Sequence, residues 1–394
     1  MKTAMDSLRK YILKTEIEPL LKNLSEELAN SILNSMFKNP YTTGPHFSLK
    51  ENIKNLEDIG KALDSSGANA DLSANVKSLF WITQDLQLPS ELKSLFNKRE
   101  KVAILIGAGV SRLLGMPGWN QLAEKAIDYL YERGKINYFE KERIVHETLD
   151  AKQKLTIFHD FIDKSQEDAK DFFTKQLQEK TVENNPYEIL ANFPCAKLTT
   201  NIDDEFYNAL NKKLSSQSNG QPSNQPAVPP TGSQAKQEYN NFSEDLFPLN
   251  SNTIYQIHGS LKEDFPNTIL TMRDYIKSYF EESGLRRFLT RLFHEYTVIF
   301  IGYGLEEFQI LEHIISKERR HYAVIGNYFT DVNLFEVRRK YYSNLNIDIF
   351  AYYLDFSGHQ RLVEVLKSWL AEINMEVNKI SYDLQREIEE ADAG

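Results

Sequence analysis

The chain is 394 residues long, 41% hydrophobic and 26% charged, with a formal net charge of −10 at pH 7. Its length exceeds what one core normally serves, and its negative balance argues against broad contact with a nucleic-acid backbone, so direct nucleic-acid binding is not expected. No apolar run approaches the ~20 residues of a membrane helix, the first residues lack a signal-peptide core, and one cysteine permits no intrachain disulfide, which together predict a cytoplasmic protein without membrane contact.

Residues 1 to 95 read as a helical region: Leu8, Ile12, Leu13 and Ile17, then Leu20, Leu21, Leu24 and Leu28, recur at steps of three and four. Asn39-Pro40, Gly44-Pro45 and Ser65-Ser66-Gly67 interrupt it. It offers no chemistry, and its apolar stripes need a partner surface, which predicts an assembly element and a homo-oligomer. From Lys101 strand and helix signals alternate, the pattern of an α/β, Rossmann-like, mostly parallel sheet with helices on both faces, over 96–375. Strands are expected at 102–106, 196–200, 253–257, 297–301, 321–326 and 347–353, with helices near 138–182, 204–213, 284–296, 305–318 and 359–373. The Ser-, Gln- and Pro-rich stretch at 214–244 predicts a disordered insertion, and 376–394 an acidic tail.

Four segments end predicted strands. The first is Val102–Ile106 running into Gly107-Ala108-Gly109-Val110-Ser111-Arg112, where glycines and a helix amino terminus suit a pyrophosphate, with a hydroxyl from Ser111 and a charge from Arg112. The third glycine of the dehydrogenase fingerprint is replaced by Arg112, so a tight turn without ligand is the competing reading. The others are Thr199-Thr200-Asn201-Ile202-Asp203, Ile257-His258-Gly259-Ser260 and Ile301-Gly302-Tyr303-Gly304-Leu305. Such sheets bind ligands at the carboxyl ends of their strands, so four motifs there predict one composite site. Asp203 or Asp204 also suits a helix cap, and Tyr303 suits either an adenine stack or the core. His258 is placed as a near-neutral base at the sheet mouth, whereas His294 and His321 read as structural. Glu306 and Glu307 read as first-turn helix residues favoured by the dipole.

In this order the motifs resemble the sirtuin superfamily, whose Gly-Ala-Gly-(Ile/Val)-Ser loop, Asn-x-Asp segment, His-Gly pair and late glycine turn surround NAD; Gly115-Met116-Pro117 adds to the likeness, which spans about residues 98 to 375. The resemblance implies NAD as substrate, with Asn201 beside the nicotinamide ribose, Asp203 on the carboxamide and His258 as catalytic base. It implies Gly302, Tyr303 and Gly304 on the adenosine side and Asn327 on a ribose, with Thr200 beside Asn201. The chain departs from the deacylases in two places: Cys195 is its one cysteine, so a four-thiolate zinc site is impossible and no metal is expected, and Gly118-Trp119-Asn120 stands where they carry Asp-Phe-Arg. What is left is similar to the zinc-free sirtuin-like proteins of bacterial antiphage defence, many of which destroy NAD. The expectation is an NAD+ hydrolase acting in abortive infection, with a HerA-like ring-forming ATPase as partner. An NAD-dependent deacylase and a non-catalytic NAD or ADP-ribose sensor are the alternatives.

Overall fold

The computed structural model describes residues 87–98, 101–162, 167–178, 184–218, 235–239, 241–263, 265–281, 283–315, 319–328, 332–354 and 358–375. The helical stripes expected over residues 1 to 86 and the acidic tail at 376–394 lie outside them.

Seven strands form one sheet: β1 Val102–Ile106, β2 Ala196–Thr199, β3 Lys236–Tyr239, β4 Thr253–Gln256, β5 Thr297–Ile301, β6 His321–Asn327 and β7 Ile347–Tyr353. They lie in the order β3-β4-β2-β1-β5-β6-β7, and every adjacent pair is parallel. All residues of β1 and β5 are buried, as expected for central strands covered on both faces. The two-residue period of a strand divides them between cores. Ile104, Ile106, Ile299 and Ile301 pack with the helices Pro186–Ala191 and Glu205–Ser218 and a helix over 361–375, whereas Ala103, Leu105, Val298 and Phe300 pack with Gly284–Glu295 and Phe308–Ile315.

The chain leaves β1 toward β2 on one side and leaves β5 toward β6 on the other. Their carboxyl ends therefore flank the point where the strand order reverses, the place at which sheets of this kind bind ligands.

A third core, of helices Trp119–Glu132, Ala151–Phe161 and Glu167–Gln176, packs against Ile202 after β2 and Leu261 after β4, and so stands over the strand ends. The helical stretch expected at 138–182 is several helices, Tyr138–His146, Ala151–Phe161 and Glu167–Gln176: Asn137 with Glu140 caps the first, and Asp150 with Gln153 closes a capping box that starts the second. Each box satisfies amides that an uninterrupted helix would have bonded internally.

Of the stretch at 214–244, expected to be disordered, residues 219–234 and 240 lie outside the described residues, and the flanks are regular structure. The helix Glu205–Ser218 runs through its start, with Leu214 buried, and β3 at its end pairs with β4 from Lys236↔Thr253 to Tyr239↔Gln256. Ala235 and Phe242 anchor that edge strand in the core, a contribution that a polar segment hides from composition alone. Among the described residues no helix is long and apolar enough to cross a membrane.

Candidate active site

The glycine loop after β1 meets the glycine turn after β5. Gly107 N–H donates to Ile301 O at 3.1 Å and Gly109 N–H to Gly302 O at 2.8 Å. A Cβ on Gly109 would lie 2.6 Å from Gly302 O, so these glycines serve the close approach of two backbones. The phosphate-cradle expectation needs correcting here: the amides of Gly107 and Gly109 are engaged within the protein. Ala108 opens the helix Ala108–Leu113, at a position whose N–H has no intrahelical acceptor.

Asn201 stands beside that loop. Its Nδ2 lies 3.1 Å from Gly107 O, 2.9 Å from Ser111 Oγ and 2.9 Å from the Tyr187 hydroxyl. Ser111 Oγ donates to Asp203 Oδ2 at 2.8 Å. Because that uses its one proton, the Tyr187 hydroxyl is the donor in their 2.8 Å contact. Thr199 Oγ1 holds the Asn201 N–H at 3.0 Å, and Thr200 N–H bonds Ile106 O at 3.1 Å, which locks the loop to β1. The amide oxygen Oδ1 of Asn201 is buried with no hydrogen-bond partner.

Asp203 takes the helix-cap role its sequence allowed, and its second oxygen is bonded to Ser111. Oδ1 accepts from Glu205 N–H at 3.2 Å, at the start of the helix, and Oδ2 faces Ser111. Burial pushes its carboxyl from 3.8 up to about 6, against the bond from Ser111. With the folded value above the unfolded one, its contribution to stability is complete below pH 4 and is lost as pH rises through 6. The cost at pH 7.5 is about 3 kcal/mol, at 1.36 kcal/mol per unit. Asp203→Asn keeps the cap acceptor and removes the charge. Thermal melts at pH 4.5 and pH 7.5 are expected to show the variant losing less stability on going up in pH than the parent; equal losses in both would count against a buried ionised carboxylate.

His258 follows β4 and has no solvent exposure. The Tyr279 hydroxyl is 2.8 Å from its Nε2, and the rings of Tyr275, Tyr279 and Trp119 stand around it at centroid distances of 5.3, 6.1 and 6.2 Å. Burial lowers its basicity, with Glu307 opposing that and Lys152 adding to it, and the Thr200 carbonyl favours the protonated ring. Nδ1 is buried without a hydrogen-bond partner. The ring thus lies against the backbone of the residue preceding Asn201.

Tyr303 packs its ring on Phe300 and against Gly107 and gives its hydroxyl to Glu307 Oε2 at 2.8 Å, so it is part of the core. Gly304 is exposed beside Glu306. Glu307 stands at the start of the helix Phe308–Ile315, where its carbonyl accepts from the Ile310 and Leu311 amides, and its carboxylate turns inward, to 3.9 Å from His258 Nε2.

Arg112 is exposed on the other side of the glycine loop; burial raises the Tyr352 hydroxyl and lowers His359, and the Arg112 charge opposes the first and adds to the second. The His359 ring covers Gly326, and Asn327 ends β6 with its Nδ2 on Tyr328 O at 2.9 Å. Asn201, Asp203 and Ser111 are thus joined by hydrogen bonds with His258 against Thr200, while Arg112 stands near His359, which lies over Gly326 one residue before Asn327. His321 bonds the Val298 amide through Nδ1 and burial drops it to about 3, and His294 sits on the exposed side of its helix, in line with structural roles.

Residues 196–350 match the family model of the SIR2-like domain. The match supports a Sir2-like family, whose domains are NAD-dependent enzymes, and it contains Asn201, Asp203, His258, the Gly302 turn and Asn327. The glycine loop after β1 lies ahead of the matched SIR2-like segment and joins it through the Gly107 and Gly109 bonds. No curated protein matches the chain. Among the described residues no group of three or more His, Cys, Asp or Glu side chains is arranged to hold a metal ion.

Tyr187, Trp119, Tyr275, Tyr279, Lys152 and Glu307 were not read as site residues from the sequence. A local signal exists only for Tyr275 and Tyr279, four apart in Met272-Arg-Asp-Tyr-Ile-Lys-Ser-Tyr279, where a π-helical turn over Ile276–Phe280 keeps their rings stacked at 5.7 Å.

Proposed function

We propose that this protein hydrolyses NAD at its nicotinamide–ribose bond, giving nicotinamide and ADP-ribose. The observation that carries the reading is the amide oxygen of Asn201, buried without a hydrogen-bond partner on the loop after β2 of a SIR2-like domain, where the preceding Thr200 carbonyl faces His258 on the loop after the neighbouring strand β4. Buried polar atoms are almost always bonded, so the free Asn201 Oδ1 supports a polar ligand beside it. Water adds its oxygen to the ribosyl carbon while the carbon–nitrogen bond breaks, with the electron pair going to nicotinamide. The carbon becomes oxocarbenium-like in between, which the Asn201 amide dipole and the Asp203 carboxylate stabilise. His258, kept neutral by burial, takes the proton from water and releases it to solvent.

We place the activity in antiphage defence, as an effector that depletes NAD and is kept silent in a homo-oligomer or by a HerA-like ATPase. The zinc-free motif pattern supports this reading.

The test incubates purified protein with NAD, alone and with an acylated peptide, and measures free nicotinamide. Release without peptide, lost in His258→Ala, is the expected result. Release that requires the peptide would make the protein a deacylase, and equal release by His258→Ala would remove the histidine from the mechanism.

A further inference from the structure

Around His258 the protein has gathered more ionisable chemistry than a hydrolytic water requires. The Glu307 carboxylate accepts from the Tyr303 hydroxyl at 2.8 Å and from the Tyr275 hydroxyl at 3.5 Å, and its Oε2 lies 3.9 Å from His258 Nε2. That separation is too long for a hydrogen bond but short for a charge pair in a site where His258 is fully enclosed and the Glu307 side chain only 16% exposed. The backbone that delivers Glu307 is constrained: Gly302 and Leu305 both take left-handed conformations, with φ of 61° and 54°. A buried leucine in that region is costly and persists because the surroundings hold it.

We propose that Glu307 is the positioning residue for His258: its carboxylate, fixed by Tyr303 and Tyr275, orients the imidazole and stabilises it when it takes the proton from the attacking water. The proposal rests on the hydrolase reading. The remaining groups facing this cluster are Tyr279 from the π-helical turn, Trp119, the Thr200 carbonyl, and Lys152, whose Nζ lies 3.8 Å from the Tyr275 ring centroid. Asp150 acts on Tyr275 from the cap of the same helix as Lys152. Glu307 is thus the anion that favours a charged His258, and Lys152 the cation that opposes it.

Glu307→Gln retains an acceptor for Tyr303 but removes the charge. It is expected to lower kcat for nicotinamide release about 10- to 100-fold with KM for NAD changed less than about threefold, and to move the acid limb of the pH profile downward. Glu307→Asp should recover part of the loss. Independently of turnover, an NMR titration of histidine-labelled full chain, with the His258 signal identified by its absence in His258→Ala, should show the imidazole titrating lower in Glu307→Gln. An unchanged titration overturns the proposal whether or not NAD is cleaved. If His258→Ala loses nicotinamide release and Glu307→Gln does not, Glu307 has no positioning role while the hydrolase reading stands. If wild type releases no nicotinamide, that reading falls and the titration alone decides the coupling.

Discussion

Asn201→Ala is expected to reduce the rate of nicotinamide release about 10²–10³-fold, the usual cost of removing one preorganised dipole from a charged transition state, ~3–4 kcal/mol. The amide is oriented before substrate arrives. Gly107 O, Ser111 Oγ and the Tyr187 hydroxyl hold its Nδ2, which points the unpartnered Oδ1 away from them. A dipole fixed in this way needs no reorganisation as positive charge develops on the ribosyl carbon. The substitution also strips Gly107 O of a buried donor, which costs about 1–3 kcal/mol of stability. A denaturation curve taken beside the kinetics separates the effects: a folded variant with turnover within threefold of the parent would remove Asn201 from the chemistry.

Gly302→Ala is expected to destabilise the fold by about 2–5 kcal/mol, from a left-handed residue at ~1–2 kcal/mol and overpacking at ~1–3 kcal/mol. Its φ is +61°, and a Cβ there would meet Val110 N at 2.7 Å and the Val110 side chain at 2.8 Å. Neither loop has room to retreat, because Gly109 N–H is bonded to Gly302 O. Gly134 supplies the control, with φ +64° and nothing within 4 Å of its added Cβ, so Gly134→Ala should show the backbone cost alone. Urea midpoints of the two variants isolate the packing of one loop on the other; equal shifts would show that the approach of Gly302 to Val110 adds nothing.

Much of the sheet was legible before any coordinates. Val102–Ile106 and Thr297–Ile301 are continuous apolar runs, which central parallel strands require, and each ends in glycine where the chain must turn sharply. The same logic found Asn201 and His258, since each lies two residues past the end of a strand. β3 escaped notice because Lys236–Tyr239 is an edge strand of polar residues, whose pairing depends on β4 and not on its own periodicity. The contact between Glu307 and His258 is hidden from the sequence for a related reason. Its neighbours in sequence make it a helix-start residue, and only Tyr303 and His258 reveal where the carboxylate points.

Local pattern alone determined the alternation of strand and helix, the glycine turns, and which polar residues sit at strand ends, because burial and backbone geometry act over a few neighbouring residues. Tertiary structure decided the rest: that the Gly107 and Gly109 amides bond the β5 turn, that Tyr187 orients Asn201, and that Tyr275, Tyr279 and Glu307 enclose His258. These contacts join segments as much as about 195 positions apart, as between Gly107 and Ile301, and are set by how the sheet orders its strands, which no local pattern encodes.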